Sequence, residues 1–81
     1  MGEKADAAAY HRRCVEVGMA EGRPIAEYAK SALYVATYHM AWGGGDYKLA
    51  RDYCEKLAAS NVEESTTAVR YLRDLRAMGL F

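Results

Sequence analysis

Gly43-Gly44-Gly45 is the feature that most restricts what this chain can fold into. Each glycine inside a helix costs about 1 kcal/mol against alanine, so three in a row end one. Yet the residues on both sides recur at helical spacing. Ala32, Val35, Ala36 and His39 precede the glycines, and Tyr47, Ala50, Tyr53, Cys54 and Leu57 follow, at steps of three and four. Asp46, directly after the glycines, is a good N-cap for the second run. Small alanines opposite large tyrosines let two helices approach closely and interlock. The stretch from Ser31 to Asn61 therefore reads as a helical hairpin.

That hairpin resembles a tetratricopeptide repeat (TPR), a helix–turn–helix unit of about 34 residues with small and aromatic residues at fixed positions. Gly45-Asp46-Tyr47 is similar to the opening of the family's second helix. Ala50, Tyr53-Cys54 and Leu57 follow at matching steps. In the first helix, Val35-Ala36 and Tyr38-His39 match the hydrophobic-small pair and the aromatic positions after it. The chain departs from the family where Gly43-Gly44 lengthen the turn, where Ala32 replaces a bulky residue, and where Val62 stands in place of a closing proline.

Eighty-one residues allow one domain with a small core. A chain of this size often needs a staple, a metal or a partner. The hydrophobic fraction of 52% and the seven tyrosines exclude a disordered, charge-rich chain. Net charge is zero and balanced locally. Residues 1–23 carry four charges of each sign, residues 24–60 four of each, and residues 61–81 three of each. No stretch offers the basic footprint of a nucleic-acid or anionic-membrane binder. No apolar run approaches the ~20 residues of a membrane span. The opening MGEKADAAAY reads as no signal peptide, and Asp6 argues against a myristoylation motif. Cys14 and Cys54 lie in expected helices and read as reduced thiols used as small apolar residues. Nucleus and cytoplasm are the expected locations.

Taken in order, the chain predicts a first helix over 3–17, with Ala7, Tyr10, Cys14 and Val17 sharing one face. Gly18 weakens it and Gly22-Arg23-Pro24 ends it. Pro24 suits the first position of a long helix from Ile25 to Trp42. Its apolar stripe is Ile25, Tyr28, Ala29, Ala32, Val35, Ala36, His39 and Met40. A third helix spans 46–60, with Lys48, Arg51, Asp52, Glu55 and Lys56 toward solvent. Asn61 and Glu64 suggest a capping box that starts a fourth helix over 62–78. Ala68, Leu72 and Leu75 form its seam, with Val69 and Tyr71 beside it. Gly79 is a C-cap, after which Leu80-Phe81 can fold back over the last turn. The expected class is all-α: one TPR-like domain of about four helices in antiparallel pairs, a short solenoid fragment. Residues 3–17 supply the second helix of a partial repeat, 25–60 one full repeat, and 62–78 a solvating cap. By the repeat resemblance the first helix lacks its usual partner, so an apolar face should stay exposed and self-association through it is expected.

The resemblance narrows further. Tyr28 to His39, the turn Gly43 to Asp46, the run Ala50 to Glu64 and the closing Leu72 to Arg76 are together similar to the last repeat of the eighth-subunit family of the anaphase-promoting complex, in its fungal form. Tyr10-His11-Arg12-Arg13-Cys14 resembles the same family upstream. The resemblance implies the C-terminal part of a longer repeat protein, or a shortened product. It implies a non-catalytic scaffold in a cell-cycle ubiquitin ligase that drives metaphase-to-anaphase progression and mitotic exit. The implied partners are the other TPR subunits and accessory subunits of that complex, with no nucleic acid and no membrane. Repeat geometry would turn Lys30, Leu33, Thr37 and Met40 toward the concave, partner-binding side, unless neighbouring helices cover them.

Chemical readings are weaker. His11, Cys14, His39 and Cys54 are four zinc-ligand types, but their spacing matches no standard site and they stand at helix-packing positions. A cysteine nucleophile needs a positioned base and a lowered pKa. The glycine run lacks the preceding strand and the Lys-Ser/Thr of a phosphate loop. Glu63-Glu64 suit a helix N-terminus better than acid–base catalysis. No catalytic residue, cofactor or metal is expected. Two other functions stay open: a free-standing TPR-like adaptor for a peptide or helix, and a helix–turn–helix nucleic-acid binder, disfavoured by the neutral charge.

Overall fold

A computed structural model of the chain describes residues 2–80. Four α-helices follow one another: α1 (Glu3–Ala20), α2 (Ala29–Ala41), α3 (Tyr47–Ala58) and α4 (Ser65–Ala77), with a 3-10 turn at Ile25–Glu27 before α2. Among the described residues there is no strand. Each helix packs on the next, so the chain is an all-α stack of adjacent helix pairs, a helical-repeat fragment.

The turn between α2 and α3 has the chemistry its sequence demands. Gly43 takes a φ of 95° directly after the C-cap of α2, a conformation that suits glycine. The Gly44 and Gly45 N–H groups reach back to the carbonyls of Tyr38 and His39 at 3.0 and 3.2 Å. Gly44 is fixed by space instead: a Cβ there would collide with the rings of Tyr38 and His39. Asp46 then caps α3, its Oδ1 accepting from the Leu49 N–H at 3.1 Å. His39 Nδ1 accepts the Asp46 N–H at 3.2 Å and ties the two helix ends together.

Along α3 the expected stripe is buried except for Tyr47, which is half-buried. Ala50, Tyr53, Cys54 and Leu57 are all buried. From α2 come Ala29, Ala32, Val35 and Ala36, from α4 Ala68 and Leu75. Gly79 ends α4 as expected, with the Leu80 N–H bonded to the Leu75 carbonyl. Phe81, expected to fold back with Leu80, lies outside the described residues.

Four expectations need correction. First, α1 runs three residues past its expected end, to Ala20, with Gly18 inside it. Gly18 is buried under the ring of Tyr28, which leaves no room for a Cβ. The helix ends at Gly22 in a Schellman motif, with the Gly22 N–H on Met19 O and the Arg23 N–H on Gly18 O. Second, α1 also buries a face, that of Ala8, Val15 and Gly18, about one residue round from Ala7, Tyr10, Cys14 and Val17, while Tyr10 and Val17 give the exposed apolar face that the repeat resemblance implies. Tyr10 is 66% exposed and Val17 47%. Third, Ile25 to Trp42 is not one helix. Tyr28, at φ −127° and ψ 16°, separates the 3-10 turn from α2, and its ring is committed to Gly18. Fourth, α4 starts at Ser65, and Glu64 makes no capping bond. The Ser65 hydroxyl instead ties the start of α4 to the end of α3. It lies 2.6 Å from the Leu57 carbonyl, which accepts its proton, with the Ser60 carbonyl also in reach, and it accepts from the Val62 N–H. Val69 points out, 45% exposed.

Gly18→Ala tests the α1–α2 contact. Alanine gains about 1 kcal/mol of helix propensity, while overpacking costs about 1–3 kcal/mol. The variant is expected to unfold at lower urea concentration than the parent, with unchanged helix content by circular dichroism. A stabilised variant would show that the Tyr28 ring moves aside freely.

Candidate docking surface

Helix α1 is apolar on two sides, and its neighbours cover only one. The inner side carries Ala8, Val15 and Gly18. His11 joins them, its ring 4.5 Å from that of Tyr34 and its Nδ1 2.9 Å from the Ser31 hydroxyl of α2. Tyr34 meets Trp42 edge-on at 5.3 Å, and the Lys4 ammonium sits 4.7 Å above the Trp42 ring. This row of rings zips α1 to α2 from the middle to one end. The outer side carries Tyr10, Cys14 and Val17, which border an open groove of about 440 Å³. Its far wall is Tyr28 with the ion-paired cluster Glu21, Arg23 and Glu27. Both carboxylates bond the Arg23 guanidinium and raise its pKa. The groove is thus apolar along its floor, with Arg13 and the ion-paired cluster at its rim.

The four residues that the repeat geometry singled out lie elsewhere. Leu33 and Met40 are half-buried against the core. The Thr37 hydroxyl shares a 2.9 Å hydrogen bond with Tyr71 of α4. Lys30 alone is exposed, in a shallow cleft with Glu27, Glu63 and Glu64. Most of that face is spent on internal contacts. Tyr10 and Cys14, the residues that the repeat resemblance leaves without a partner helix, line the α1 groove.

The chemical candidates do not converge. Among the described residues no three His, Cys, Asp or Glu side chains gather as metal ligands would. Cys14 is half-buried at the groove and Cys54 lies in the core, both as free thiols. Burial pushes the Cys54 thiol up to about 12, the reverse of what a nucleophile needs. Burial, then the Glu16 carboxylate, likewise raises the Tyr53 hydroxyl. The glycine run joins two helices rather than a strand and a helix. No helix among the described residues is long and apolar enough to cross a membrane. Comparison with protein-family models, with curated proteins and with solved structures finds no match.

Three expected outcomes follow. Leu33→Arg places a charge against the core and should lower stability by about 2 kcal/mol or more. A variant with parental stability would instead mark Leu33 as surface. The raised Cys54 and Tyr53 values set a pH dependence. Folding favours both neutral forms, so their contribution is complete below the ordinary values of 9.0 and 10.0 and is lost as pH climbs through the folded-state values. Urea midpoints should therefore fall above about pH 9, and less steeply in Cys54→Ala. Alkylation at neutral pH should modify Cys14 and spare Cys54 until the chain is unfolded.

Proposed function

We propose that this chain is a non-catalytic, TPR-type scaffold segment, which works by stacking its helices against those of a neighbour. One observation carries the reading: α1 is apolar on two faces, with Val15 buried on one and Tyr10 and Val17 open on the other. A helix apolar on two sides is suited to two neighbours, as helices inside a solenoid are. The pairing of α2 with α3 across Gly43–Asp46 supports the repeat reading, because the small-and-aromatic pattern of α3 is the part of it that is buried. The raised Cys54 value supports a non-enzymatic role for that thiol.

The resemblance of Tyr28–His39 and Ala50–Glu64 to the eighth-subunit family of the anaphase-promoting complex gives the scaffold a setting. In that setting the chain contributes to a cell-cycle ubiquitin ligase of nucleus and cytoplasm, holding neighbouring TPR or accessory subunits without touching ubiquitin chemistry. The α1 groove, rather than Leu33, Thr37 and Met40, is the surface through which it docks. Lys30 stays free to contribute at the edge.

Tagging the chain at its native locus and identifying what co-purifies tests this. A large ubiquitin-ligase assembly is expected, and Val17→Glu should release it without loss of helix content. Recovery of no such assembly would overturn the setting. Retention of the assembly by Val17→Glu would overturn the docking face.

A further inference from the structure

We draw no further inference here: the strongest candidate, the open apolar groove along the outer side of α1 bordered by Tyr10, Arg13, Cys14, Val17 and Tyr28, belongs to the docking surface already described, and nothing in the structure shows what covers it.

Discussion

The fold depends on how closely other helices can approach α2. This helix lies between α1 and α3, and the side chains it buries are Ala29, Ala32, Val35 and Ala36. Three of the four are alanines, so the helix axes on either side can come near and the larger groups must come from the neighbours. They do: Val15 from α1, and Tyr53, Cys54 and Leu57 from α3, are all buried in the same cluster. The fully buried side chains are few and none exceeds leucine in size apart from the nearly buried Tyr53. Burial of a single such side chain is worth about 1.5–3 kcal/mol. With so little core, no contact along α2 is redundant.

Polar side chains secure what the small core leaves loose, and they do so at the seams between helices. His11 and Ser31 join α1 to α2, Thr37 and Tyr71 join α2 to α4, and Ser65 joins the start of α4 to the end of α3. Each pair is part-buried, so leaving one partner unmatched costs more than the bond itself contributes. The i,i+4 ion pairs on α1 and α3 differ in kind. Their side chains are about half exposed or more in nearly every case, and such pairs add at most about 1 kcal/mol each. The seams fix the order of the stack, and the surface pairs mainly keep the helices soluble along their length.

How far the sequence could be read depended on how one-sided each helix is. In α3 the apolar residues fall on one stripe, and Ala50, Tyr53, Cys54 and Leu57 are buried as the spacing predicts. The same holds for Ala68 and Leu75 of α4. In α1, alanines, Tyr10, Cys14, Val15 and Val17 run almost all the way round, so periodicity alone could not choose between two faces. The face built on Tyr10 and Val17 is the open one. The break at Tyr28 was hidden for a different reason. Nothing in Ile25 to Trp42 disfavours a helix locally, and what interrupts it is the fit of the Tyr28 ring over Gly18, a contact ten residues back. Ser65 was obscured in the same way, because its carbonyl partner Leu57 is eight residues away. Asn61 and Glu64 offered a plausible local cap, but α4 starts later, at Ser65, with no side-chain cap bond.

The same ambiguity bears on the candidate site. Mapping a repeat onto α2 assigned Lys30, Leu33, Thr37 and Met40 to a binding face, on the assumption that the inner side of the stack stays open. With Tyr71 bonded to Thr37, α4 closes over part of that side. The apolar surface left over must then lie where a neighbour is missing, and that is on the outer helices. The second apolar face of α1, which made its burial unreadable, is the face left open there. A helix that needed only one neighbour could have carried lysine and glutamate at positions 10 and 17, as α3 does at 48 and 55. Tyrosine and valine at those positions give α1 a surface that water does not favour and that another helix can cover.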